Sequence, residues 1–72
     1  MMSKDSILDY IKNKQSNSDE ASDILLYNIM KFVLKDYGVI YFKFAIAKAL
    51  KKGISDPTLF NIYKDMIEFI GD

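Results

Sequence analysis

Apolar residues recur along this chain at intervals of three and four positions, the spacing of one face of an α-helix. Four segments carry the pattern, at about 3–14, 19–37, 39–52 and 57–70. Paired runs that alternate with period two, as expected of strands, are missing from the sequence. We therefore predict an all-α fold, a small helical bundle of three main helices plus a short N-terminal helix, in a single domain over 1–72.

Polar residues indicate where the helices begin and end in the first half of the chain. Ser3 or Ser6 can cap the start of the short helix, where a hydroxyl satisfies a free backbone N–H. The stretch from Asn13 to Ser22 has no large apolar side chain and is predicted to be a loop. Near its end, Asn17 or Ser18 is the predicted N-cap of the second helix.

Glycine and proline indicate where the helices begin and end in the second half of the chain. Gly38 and Gly53 suit the left-handed position that follows the last turn of a helix. Ser55 or Asp56 is the predicted N-cap of the last helix, because Pro57 then takes the first helical position. These signals leave short connections on both sides of the third segment.

The third segment begins "VIYFKF", six residues with strong β propensity. A strand there would have no partner, and an isolated strand leaves its backbone groups unsatisfied. We therefore predict a helix that continues through "AIAKALKK", which is rich in helix-forming residues. One apolar stripe of this helix should face the core, and it comprises Val39, Phe42, Ile46, Ala49 and Leu50.

A second apolar stripe on the same helix has no obvious partner within the chain. It consists of Ile40, Phe44 and Ala47, and the two stripes are separated by Tyr41, Lys48 and Lys52. The second helix is also more apolar than one core face requires, over an arc of roughly 220°. Surplus apolar surface is typical of an interface. The predicted partner-binding site comprises Ile40, Tyr41, Phe44, Lys48 and Lys52.

Composition narrows the classes of function. The 72 residues are half hydrophobic, with zero formal net charge and neither cysteine nor histidine, so disulfides and ordinary zinc sites are excluded. All ten basic residues are lysine, and arginine is the usual reader of guanine and phosphate. The bias towards AT-rich codons suggests a phage or a mobile element as the source.

The chain carries no evident targeting signal. Charges interrupt each hydrophobic run well short of the ~18 residues of a membrane span. The N-terminal stretch "MMSKDSILDYIK" also has no apolar core of signal-peptide length. We therefore expect a cytoplasmic, intracellular protein that does not bind membranes.

No constellation of residues predicts catalysis. Two carboxylate clusters, Asp19–Glu20–Asp23 and Asp65–Glu68–Asp72, fall on predicted polar faces or helix ends. The serines have no histidine to act as base, and the glycines are isolated helix stops rather than a phosphate loop. We expect no catalytic residue, metal or cofactor, and no small-molecule substrate is evident.

Residues 46–64 resemble a DNA-binding helix-turn-helix motif and supply the alternative hypothesis. With Ala49 at the usual alanine position, Gly53, Ile54, Leu59 and Ile62 also fall where the motif needs them. Lys48 and Lys52 then occupy positions that are normally apolar.

We therefore favour a non-enzymatic protein-interaction module. Such a regulator, adaptor or inhibitor would bind a protein partner, itself included, and we expect a homodimer.

Overall fold

The computed structural model describes residues 2–71, and all secondary structure in that part is helical. Four helices follow one another: α1 (Lys4–Ser16), α2 (Ala21–Tyr37), α3 (Val39–Lys52) and α4 (Pro57–Ile70). The radius of gyration is 11.3 Å, close to the ~11 Å of a compact chain of this length. The predicted all-α fold is confirmed, and "VIYFKF" is the start of a helix.

One apolar core lies between the four helices, and each helix contributes to it. Its buried members are Ile7 and Ile11 of α1, Tyr27, Met30 and Leu34 of α2, Phe42 and Ile46 of α3, and Met66 and Ile70 of α4. At one edge the ring of Tyr10 stacks on that of Phe69, with ring centres 4.1 Å apart. The first and last helices are therefore joined directly as well as through the core.

The loop between α1 and α2 is shorter than the sequence suggested. Helix α1 continues to Ser16, and the backbone and side-chain N–H groups of Asn17 donate to the Asn13 carbonyl at 3.2 and 3.0 Å. Helix α2 begins at Ala21 after Glu20, whose side chain makes no capping hydrogen bond. The prediction that Asn17 or Ser18 caps α2 is wrong, because Asn17 closes the helix before it.

Gln15 belongs to the stretch that was predicted to be a loop, and it ties α1 to α2. Its side-chain amide donates to the Ile24 carbonyl at 3.0 Å and to Asn28 Oδ1 at 2.8 Å. Its Oε1 accepts a hydrogen bond from Lys31 Nζ at 2.7 Å. One polar side chain thus satisfies three groups along the face of α2.

The connections around α3 follow the predicted signals. Gly38 alone links α2 to α3, with a φ of 89° that an L side chain rarely adopts. After the 53–56 turn, Asp56 caps α4 by accepting hydrogen bonds from the backbone N–H groups of Thr58 and Leu59 at 2.9 and 3.2 Å. Pro57 takes the first helical position.

Burial of α1 leads to a stability prediction. Replacing Ile11, which is fully buried, with alanine should lower the free energy of unfolding by about 2–5 kcal/mol, because it leaves a cavity among four helices. Urea denaturation followed by circular dichroism measures the change. Lys12→Ala, on the exposed side of the same helix, should stay within about 0.5 kcal/mol of the parent. Equal stabilities would show that α1 is not part of the core.

Candidate functional site

Ile40 and Phe44 lie on the side of α3 that points away from the core. Each is two residues from the buried Phe42, a rotation of about 200° around a helix. Their exposed fractions are 75% and 66%. The second apolar stripe predicted for this helix is therefore open to solvent along its length.

Tyr41 extends this apolar surface towards the end of α2. Its ring stacks on that of Tyr37 with ring centres 4.8 Å apart, across the Gly38 link. Both tyrosines remain more than half exposed. The stack therefore joins the outer sides of α2 and α3 at the end where the two helices meet.

Lysines occupy the other end of α3. Lys48, Lys51 and Lys52 are exposed, and together with Phe44 and Ala47 they border a shallow depression. Helix α3 carries four lysines and no acidic residue. The structure thus places Lys48 and Lys52 beside the apolar surface, as a basic edge rather than inside it.

A stripe on α2 belongs to the same surface but was not among the predicted site residues. Leu25, Ile29 and Phe32 recur at four- and three-residue spacing, with exposed fractions of 61%, 52% and 57%. Ile29 also lines a groove together with Ala45 and Ala49 of α3. The wide apolar arc of α2 was the available signal, but it did not show which part of the arc faces solvent.

We name these exposed apolar residues of the two helices together the α2–α3 outer face. It comprises Leu25, Ile29, Phe32 and Tyr37 of α2 and Ile40, Tyr41 and Phe44 of α3. The Tyr37–Tyr41 stack is a contact between its two halves. Exposed apolar residues grouped on neighbouring helices are typical of a protein interface.

The carboxylates come together differently from their order in the sequence. Asp19, Glu20, Asp65 and Glu68 are exposed and Asp23 is partly buried. Of these, Asp23 and Asp65 line one cleft from two helices. Asp72 lies outside the described residues. Within residues 2–71, no group of three potential metal ligands is close enough to hold an ion.

The cleft lies between α1, α2 and α4 and has a volume of about 210 Å³. Its lining comprises Tyr10, Lys14, Asp23, Tyr27, Thr58, Asn61, Ile62, Asp65 and Met66. Burial, followed by the negative charges of Tyr10, Asp23 and Asp65, raises the pKa of Tyr27. Burial, followed by Asp65 and Glu68, likewise raises the pKa of Tyr10. The cleft therefore disfavours additional negative charge.

The exposed side of α4 bears on the helix-turn-helix hypothesis, since α4 would be the recognition helix. Lys64, Asp65 and Glu68 are all exposed, so the charges on this side sum to a net negative value. Ile67 is half-buried against the core rather than free to contact DNA. A helix with this surface is poorly suited to approach phosphates.

Comparisons of the chain with protein-family models, with curated proteins and with solved structures found no match. Among the described residues, no helix is both long enough and apolar enough to cross a bilayer. The case for a function therefore depends on the α2–α3 outer face and on the cleft.

The raised pKa values of Tyr10 and Tyr27 predict how stability depends on pH. Above pH 10 the unfolded chain releases these protons more readily than the folded chain, so the free energy of unfolding should fall as pH rises. Below pH 10 both states keep the protons and this dependence disappears. Denaturant unfolding at several pH values measures the slope. Tyr27→Phe should make the alkaline slope shallower, and an unchanged slope would contradict the assignment.

Proposed function

We propose that this protein is a non-enzymatic protein–protein interaction module that acts by stoichiometric binding through the α2–α3 outer face, as a homodimer. The observation that carries the proposal is the exposure of Ile40 and Phe44, at 75% and 66%, opposite the buried side of α3. Keeping large apolar side chains in water is unfavourable, at about 25 cal/mol for each Å² left exposed. A partner that covers them gains this energy.

The partner that we propose is a second copy of the chain, which would cover both stripes of the outer face. A stable interface buries roughly 800 Å² on each side, about a sixth of the 4794 Å² surface of this chain. The apolar stripe on α3 would form one part of such an interface, and the stripe on α2 would make the interface wider. In a dimer with a two-fold axis, both protomers would contact each other through this same face.

Charge favours an antiparallel arrangement of the two α3 helices. Lys48, Lys51 and Lys52 lie in the C-terminal third of the helix, so a parallel pair would bring two lysine clusters together. An antiparallel pair that crosses near Phe44 keeps the clusters at opposite ends of helices about 20 Å long. Tyr41, Lys48 and Lys52 then form the polar rim of the interface.

Within the cell the module would act as a regulator, adaptor or inhibitor by covering or assembling other proteins. The proposal includes a phage or mobile-element source, supported by the small size and the codon bias. The proposal also treats α2, α3 and α4 as the three main helices of the bundle, with α1 as a smaller helix that packs against α2.

Phe44→Asp tests the outer face directly. The substitution should abolish association, because a carboxylate at the centre of the interface would be buried without a partner. It should leave the helical circular dichroism intact, since Phe44 is mostly exposed. The molar mass from light scattering over a range of concentrations measures association.

Phe60→Asp provides the matched control for this experiment. Phe60 is a partly exposed phenylalanine on α4, outside the outer face, so this variant should associate like the parent. A parent protein that is monomeric at all concentrations would overturn the homodimer. A Phe44→Asp protein that loses its helical structure would place Phe44 in the core and overturn the interface.

The helix-turn-helix hypothesis makes a different prediction and is the weaker alternative. It requires retention on a DNA duplex at low salt, reduced by Lys48→Glu and by Lys52→Glu. We expect no retention, because the exposed side of α4 is net negative. Retention that weakens steeply with salt, and further in both variants, would favour the DNA-binding alternative.

A further inference from the structure

The cleft between α1, α2 and α4 is lined by a tyrosine, Tyr27, whose side chain is mostly buried and whose hydroxyl has no hydrogen-bond partner. Tyr27 is only 7% exposed, and its hydroxyl makes no hydrogen bond to any of residues 2–71. In the same part of the chain, no side-chain nitrogen or oxygen is both closed to solvent and unpartnered. The Tyr27 hydroxyl is therefore open to solvent, and the Tyr27 side chain lines the cleft.

The charges around the Tyr27 hydroxyl determine whether the cleft favours a positively or a negatively charged ligand. Asp23 of α2 and Asp65 of α4 line the cleft from two sides, and both raise the pKa of Tyr27. Lys14 is the one basic residue among the lining side chains. Its Nζ lies 5.5 Å from the centre of the Tyr10 ring, within the range of a cation–π interaction. The cleft thus already attracts an ammonium group to its edge.

The rest of the lining selects the kind of cation. Ile62, which is partly exposed, supplies an apolar wall, which would stabilise a hydrocarbon chain and does nothing for a hydrated metal ion. No group of three potential metal ligands is present among the described residues. A volume of about 210 Å³ is several times the ~30 Å³ of a water molecule. The cleft therefore has room for a short alkyl chain with a charged head.

We propose that this cleft binds a primary alkylammonium group. The ammonium donates hydrogen bonds to the Tyr27 hydroxyl and to the carboxylates of Asp23 and Asp65, while its alkyl chain lies against Ile62. Lys14 competes with the ligand for the same negative potential. The group can come from a free amine or from a lysine side chain of another protein. No residue of α3 lines the cleft, so this proposal does not rest on the α2–α3 outer face.

Titration with n-butylammonium chloride, followed by NMR of the backbone amides, tests the proposal. Residues that line the cleft should shift in a saturable way, whereas residues around Ile40 should not. Potassium chloride at equal ionic strength controls for salt, and n-butanol controls for the alkyl chain. Equal shifts with n-butanol, or a site occupied by Mg²⁺ in preference to the amine, would overturn the proposal.

Charge variants should move the affinity in opposite directions. Asp65→Asn should weaken binding about tenfold, because it removes a charged acceptor. Lys14→Gln should tighten it roughly threefold, because it removes a unit charge a few ångströms away. The matched controls Asp36→Asn and Lys12→Gln, both exposed and outside the cleft, should leave the affinity unchanged. No saturable shift in either the parent or Lys14→Gln would refute the site.

A second probe distinguishes the two sources of the ammonium group. Acetyl-lysine methylamide, acetylated on its α-amino group, presents the same head on a peptide backbone. Equal affinity for this probe and n-butylammonium would assign the site to free amines, and tighter binding of the lysine probe would assign it to a protein side chain. Phe44→Asp should bind n-butylammonium like the parent, which separates this test from that of the proposed dimer.

Discussion

The apolar contact between all four helices is the interaction on which the rest of this structure depends. Isolated helices of 13 to 17 residues are marginal in water. The chain has no cysteine to form a disulfide. Each helix contributes at least two buried side chains to the same core, and each such side chain stabilises the fold by about 1.5–3 kcal/mol. The helices therefore hold their structure only as a group.

This shared core also determines what the molecule presents to solvent. Phe42 and Ile46 fix the rotation of α3 about its own axis, because turning the helix would withdraw both from the core. Gly38 permits an abrupt change of direction after α2, and a single linking residue leaves little freedom to relax. Ile40 and Phe44 lie on the opposite side of α3, so they stay exposed while Phe42 and Ile46 are buried. Their exposure is a consequence of the packing.

The sequence predicted those features that depend on local spacing. The helices, the cap at Asp56 and the outward side of α3 all follow from neighbours within a few positions of one another. The β propensity of "VIYFKF" alone would predict a strand. The sequence offers no second strand to pair with it, and the helix predicted for that reason is the structure observed. Asn17 shows the limit of local signals, since the same side chain suits the end of one helix and the start of the next.

Features that depend on contacts between distant parts of the chain could not be predicted from the sequence pattern. A helical wheel shows that α2 is widely apolar, but the positions of α1 and α3 decide that Leu25, Ile29 and Phe32 face solvent. The cleft joins Asp23 and Asp65, which the sequence had placed in two separate clusters. The packing of α1, α2 and α4 around the cleft brings them together.

Helix α2 carries residues of both surfaces and relates the two proposals to each other. Asp23 and Tyr27 line the cleft from one side of this helix, while Leu25 and Ile29 lie on the outer face. A ligand in the cleft changes the affinity of the outer face only if it binds two arrangements of α2 unequally. Because Tyr27 is itself part of the core, restraining it stabilises the arrangement that the core already favours. Ligand binding would then add to folding stability by mass action, equally in monomer and dimer, without altering association.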